Sequence, residues 1–145
     1  MDRPVVIVSA CLVGLKTRYD GEDALSGPAL SALKGTVPVP VCPEQLGGLS
    51  TPRPGCEITA GSGRDVLTGS SRVMDENGRD VTGNLLKGAD EVLRIARLAG
   101  AKEAFLKENS PSCGVGSIKR GGTAIDGSGV TAALLEKSGI KVRGF

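Results

Sequence analysis

The chain contains no histidine and no tryptophan. Without imidazole, proton transfer near neutral pH falls to a carboxylate, Lys, Tyr or Cys, and the commonest metal ligand is missing. One Tyr and two Phe are too few for a base-stacking platform. Neither sign of charge is in excess: 18 Lys and Arg stand against 16 Asp and Glu, a formal net charge of +2. Electrostatics therefore give no reason to expect a nucleic-acid or membrane partner. No apolar run approaches the ~18 residues of a transmembrane span. The chain has no Cys-x-x-Cys pair, no Walker A pattern and no Gly-x-Gly-x-x-Gly after its first apolar segment. Structural zinc and nucleotide-cofactor readings lose their support with them.

A secretory signal is also lacking. Val8-Ser9-Ala10-Cys11 has the form of a bacterial lipoprotein cleavage box. The apolar run before it, Pro4 to Val8, is shorter than the ~7–15 residues of a signal core, and Asp2 stands where positive charge belongs. Four cysteines without such a signal indicate a reducing cytoplasm rather than a disulfide framework.

What is present describes a soluble globular protein. Residues 1–145 have the length of one domain, and a chain of this size buries roughly two thirds of its unfolded surface. A hydrophobic share of 39% against 23% charged residues argues against disorder. Glycine is abundant at 22 residues, and it concentrates where backbone turns tightly or approaches a ligand.

Val5 to Ala10 is a continuous apolar, β-branched run, the pattern of a strand buried on both faces. Ser26 is placed to cap a short helix with Pro28 in its first turn and Gly35 as its stop. Val37 to Val41 reads as a strand, and Pro38 and Pro40 assign it to an edge. Gly47 to Gly55 reads as a loop. Arg72 to Val81, with Asn77-Gly78 at its centre, reads as a hairpin. Thr82 is then expected to cap a helix whose Leu85, Leu86, Ala89, Val92, Leu93 and Ala96 form one apolar stripe. Gly100 ends it. A strand over Ala104 to Lys107, a loop over Glu108 to Gly116, a helix over Val130 to Lys137 and a strand over Ile140 to Arg143 complete the chain. Strands alternating with helices predict an α/β fold. The expectation is a single compact domain with a mainly parallel sheet flanked by helices, Rossmann-like, with a small antiparallel hairpin excursion.

Cys11, Cys42 and Cys113 each follow an expected strand and open a loop. The carboxyl ends of parallel strands share one edge, which is where such folds bind ligands. Three thiolates meeting there suggest a soft-metal or iron–sulfur site. Three ligands on a four-iron cluster would leave one iron open as a Lewis acid, and sulfur in a substrate would match it. Cys56 lies in the Gly/Pro-rich stretch, ends no strand and is read as incidental. Glu44 stands two residues after Cys42, and burial beside a cluster would raise its pKa toward a working range; as a bland alternative it serves the start of a helix. Asp20, in Arg18-Tyr19-Asp20-Gly21, is either a site carboxylate or an Asx-turn residue. Ser110 and Ser112 flank Pro111 and carry the same ambiguity. Arg53 is either an anion ligand or a solvated loop charge.

Three motifs carry a family resemblance. Val8-Ser9-Ala10-Cys11-Leu12-Val13-Gly14 with Arg18-Tyr19-Asp20-Gly21 resembles the first motif of the thiouracil desulfidase family, a bacterial domain long without an assigned function. Val41-Cys42-Pro43-Glu44-Gln45-Leu46-Gly47-Gly48-Leu49 with Thr51-Pro52-Arg53-Pro54 resembles its second. Leu106 to Gly114 resembles its third, and Gly129 to Leu135 also fits. The resemblance spans nearly the whole chain in order. It implies a [4Fe-4S] cluster held by Cys11, Cys42 and Cys113, whose fourth iron takes the sulfur of a small thiolated pyrimidine. The implied reaction is hydrolytic and non-redox, turning C=S into C=O with release of sulfide. It also implies that Glu44 and Ser110 handle protons and orient substrate, with Asp20 in support. The position of Cys56 is not a ligand position of the family, and Lys16-Thr17 departs from its usual form. The alternatives are a cysteine persulfide sulfurtransferase and a non-catalytic iron–sulfur delivery module.

Overall fold

A computed structural model describes residues 3–145; Asp2 lies outside them. The core is a four-stranded, fully parallel sheet in the order β2-β1-β5-β8. Its strands are β1 (Val5–Ser9), β2 (Val37–Val41), β5 (Glu103–Leu106) and β8 (Lys141–Gly144). β2 lies at an edge, as its prolines require.

Period-2 alternation with both faces of the sheet covered explains why Val5 to Val8 of β1 are all apolar. Val6 and Val8 face one side with Leu12, Ala29, Leu33 and Phe105. Ile7 faces the other with Val92, Ala96, Ala104, Leu106 and Leu135. Helix α1 (Gly27–Ala32) covers the first face. Helices α4 (Thr82–Ala99) and α5 (Val130–Lys137) cover the second. A further core joins Leu85, Ala89 and Val130 to Ile58, Val66, Val73 and Ile118. It lies under two small antiparallel pairs: β3 (Cys56–Ile58) with β4 (Val73–Asp75), joined through helix α3 (Gly63–Leu67), and the hairpin of β6 (Ser117–Arg120) with β7 (Thr123–Asp126).

The observed α/β architecture matches the expected one, with one local correction. The helix at residue 82 is not capped by Thr82, whose hydroxyl instead accepts from the Val73 N–H at 2.8 Å. Val81 occupies the N-cap position, and the Asp80 carboxylate accepts from the first helical N–H, that of Thr82, at 2.9 Å. The expected hairpin around Asn77-Gly78 is present: the Met74–Asp80 bridge is flanked by the Asp75 N–H donating to the Arg79 carbonyl and the Val81 N–H donating to the Val73 carbonyl, each at 2.9 Å. The longer pairing of β4 is with β3, because Cys56 to Ile58 offers a full ladder. Ser26 caps α1 as expected, accepting from the Ala29 N–H. No helix among the described residues is long and apolar enough to cross a membrane.

Candidate functional site

Register brings the cysteine loops together. Ser9 pairs with Val41, and Val8 with Phe105, so three strands end at nearly one level. Cys11 sits in a short 3-10 turn after β1, held by Gly14 and Ala24 N–H groups on its carbonyl. Cys42 is the residue between β2 and α2 (Pro43–Leu46). Cys113 lies in the loop after β5. All three line one cavity of about 510 Å³, a size suited to a small ligand or cofactor. Cys56 also lines it. It is not in a loop but opens β3, where it pairs with Asp75.

All four cysteines are free. Burial pushes the Cys113 thiol up to about 12, against a hydrogen bond from Ser9 that favours its thiolate. Burial also raises Cys11, opposed by the Lys107 charge. Cys56 is pushed up to about 12 by burial and then by the nearby Glu44 carboxylate. Cys42 lies 3.6 Å from the Thr17 carbonyl and 3.9 Å from Arg53 Nη2. A buried neutral thiol releases its proton when a soft cation takes its place.

Arg53 is an internal residue and no solvated loop charge, with 5% of its side chain exposed. Its Nε donates to Glu44 Oε2 at 3.0 Å. Nη1 donates to the Ser50 carbonyl and Thr51 Oγ1, and Nη2 to the Thr17 carbonyl. The guanidinium thus ties the first two motifs together and fixes the Glu44 carboxylate on the cavity wall. Glu44 lies in the first turn of α2, yet its carboxylate is committed to Arg53 rather than to the helix end.

Ser110 lines the cavity, and its Oγ accepts from the Ser112 and Cys113 N–H groups. This leaves its hydroxyl proton available. Ser112 points into the core, bonded to Thr131 at 2.9 Å. Asp20 does not line the cavity. Its carboxylate receives Arg18 Nε and Nη2 and the Glu22 N–H, an Asx-type turn, and Arg18 holds its carboxyl below the usual range. Arg18 itself lines the cavity.

The sequence reading missed Glu57, Met74, Asp75, Lys107 and Lys119, which also line the cavity. Four of them arrive on the two small antiparallel strand pairs. The Gly121-Gly122 dipeptide between β6 and β7, with φ of 61° and 76°, was the available signal for one hairpin.

The donor set discriminates among metals. Among the described residues, no three His, Cys, Asp or Glu side chains converge closely enough for a single ion. Three cysteines instead stand around a cavity large enough for a multi-atom group. This suits a cluster whose iron atoms each take a separate thiolate, and does not suit structural zinc.

YbbK of Bacillus subtilis (strain 168), an uncharacterised protein, is 45% identical over 141 residues, covering 95% of this chain and 93% of its own. The solved structure of the [4Fe-4S]-dependent thiouracil desulfidase TudS superposes with a TM-score of 0.83 at 39% identity, covering 97% of this chain and 90% of TudS. The family model of 2-thiouracil desulfurase matches residues 6–144. The chain therefore belongs to the 2-thiouracil desulfurase family of enzymes.

Proposed function

We propose that this protein removes sulfur from thiolated pyrimidines such as thiouracil. Water adds oxygen at the C=S carbon, the product is C=O, and sulfur leaves as sulfide with the protons of that water. The observation that carries the reading is the meeting of Cys11, Cys42, Cys113 and Glu44 on one cavity, in a chain so similar to TudS. The three cysteines would hold a [4Fe-4S] cluster, which when bound supplies an iron free of protein ligands, a Lewis acid matched to sulfur.

The chain's own residues supply the rest. Arg53 holds Glu44 Oε2, and no donor among the described residues engages Oε1. Oε1 is the atom that takes the proton of the attacking water. Ser110, anchored by two loop N–H groups, offers its hydroxyl proton to a pyrimidine oxygen or nitrogen. Asp20 acts at one remove, by holding Arg18 at the cavity.

Residues 1–145 serve as a single desulfidase-like domain, because α4 contributes to two of the cores at once. Free thiols fit a cytoplasmic setting. The substrate is a small molecule, and no nucleic-acid partner is expected.

Anaerobic reconstitution, iron and sulfide counting, and an assay of sulfide release from a panel of thiolated pyrimidines test the reading. Four irons per chain with sulfide release from at least one thiolated pyrimidine is the expected result. Iron uptake with no sulfide release from any of them would replace it with a delivery module.

A further inference from the structure

Glu108 is the second residue after β5, past Lys107, and its N–H donates to the Phe145 carbonyl. Its side chain then turns back into the loop that it begins. Oε1 accepts from the N–H groups of Val115 at 2.7 Å, Gly116 at 3.0 Å and Ser117 at 3.3 Å, and Oε2 accepts from Gly116 at 3.2 Å. Successive N–H groups converging on one anion form a backbone nest. Here the chain fills the nest with its own carboxylate. The seated carboxylate lies directly over Gly144, where a Cβ would overlap it.

The same loop carries Ser110 and Cys113. Its first end is fixed by Asn109, in left-handed conformation (φ 65°), whose Oδ1 accepts from Ser117 Oγ at 2.7 Å. Lys107 Nζ donates to the Glu108 carbonyl at 2.9 Å. Glu108 borders the cavity, yet both of its carboxylate oxygens are committed to the loop.

We infer that Glu108 is a positioning residue: its carboxylate, seated in the nest of residues 115–117, holds the Ser110–Cys113 loop in working shape before any cofactor is bound. The inference rests on the proposed function only where it treats Cys113 as a cluster ligand.

Glu108→Ala and Glu108→Gln in the full chain test it. In the cofactor-free protein, Glu108→Ala should speed alkylation of Cys113 while leaving Cys42 alkylation unchanged, both read by peptide mass spectrometry. After anaerobic reconstitution, Glu108→Ala should lose iron to a chelator about 10–100-fold faster, with Glu108→Gln in between. Formate, which can refill the nest, should slow that loss, and chloride at equal ionic strength should not. Unchanged Cys113 alkylation in Glu108→Ala overturns the inference, as does an equal rise at Cys42 without formate rescue. Failure of the unaltered protein to take up iron would instead count against the proposed function, and the alkylation contrast would still decide the role of Glu108.

Discussion

Gly88 and Pro43 meet backbone to backbone: a Cβ on Gly88 of α4 would overlap the Pro43 carbonyl oxygen of α2. Gly47 makes the reciprocal approach to the Asn84 carbonyl, and Asn84 Nδ2 donates to the Gly47 carbonyl at 2.8 Å. The short helix that carries Glu44 and follows Cys42 is therefore seated on a notch in α4.

This contact predicts opposite outcomes for two substitutions in one helix. Gly83 of α4 has nothing within 4 Å of an added Cβ, so Gly83→Ala should stabilise by up to about 1 kcal/mol through helix propensity. Gly88→Ala has the same propensity gain but must displace backbone, and overpacking typically costs ~1–3 kcal/mol. A net loss of stability in urea denaturation, with lower iron content after reconstitution, is expected. Equal stabilisation by both would mean that α2 yields without strain.

Removing cysteines one at a time separates ligands from bystander. Cys11→Ala, Cys42→Ala and Cys113→Ala should each abolish stable cluster binding, and Cys56→Ala should keep cluster and activity. Normal iron content in all three of the first group would sink the ligand assignment. Loss of the cluster in Cys56→Ala would mean that the wrong three were chosen.

Glu44→Gln should retain the cluster and lose turnover by about 10²–10⁴-fold, the usual weight of a general base. Arg53 keeps its bonds to Ser50, Thr51 and Thr17 in that variant, so the cavity wall stays in place. Stability should still fall, because the guanidinium loses a charged partner in a largely buried site. Near-normal turnover would remove Glu44 from the proton-transfer role.

Asp80 gives the fold an acid-sensitive joint. Hydrogen bonds from the Thr82 hydroxyl and N–H, then from Arg72, lower its carboxyl from 3.8 to about 2. A depressed folded-state pKa stabilises above the unfolded value and loses that effect as pH falls through the folded one. The stability difference between the unaltered protein and Asp80→Asn should therefore be full above about pH 4 and shrink toward pH 2. A difference independent of pH in denaturant titrations would contradict this. Salt should weaken it, since the group is exposed.

Local signals carried the fold and the three cysteine loops. The apolar run at Val5, the stripe on α4 and the helix over Val130 to Lys137 are patterns within one element. The cysteines lie next to strand ends, so strand recognition was enough to bring them together. What stayed hidden depends on contacts distant in sequence. Arg53 read as ambiguous because its partners Thr17 and Glu44 lie in other segments. The hydroxyl of Thr82 was open to capture by Val73, which no helix-start rule foresees. Cys56 looked like loop because a three-residue strand gains its identity only from pairing with β4. Gly88, a glycine inside a helix pattern, was the clearest unread sign of close packing.

The prolines of β2 have a consequence beyond marking an edge. The Val37 N–H bonds inward to the Pro4 carbonyl, so in a strand the N–H positions of residues 38 and 40 point away from the sheet. Both are proline, and neither has a hydrogen to offer. The outer rim of β2 thus lacks the donors that a neighbouring chain's strand would need to dock and propagate. Open-ended growth of this sheet from one molecule to the next is closed off on the side next to Cys42. Replacing Pro38 and Pro40 would reopen that side without touching a single residue of the cavity.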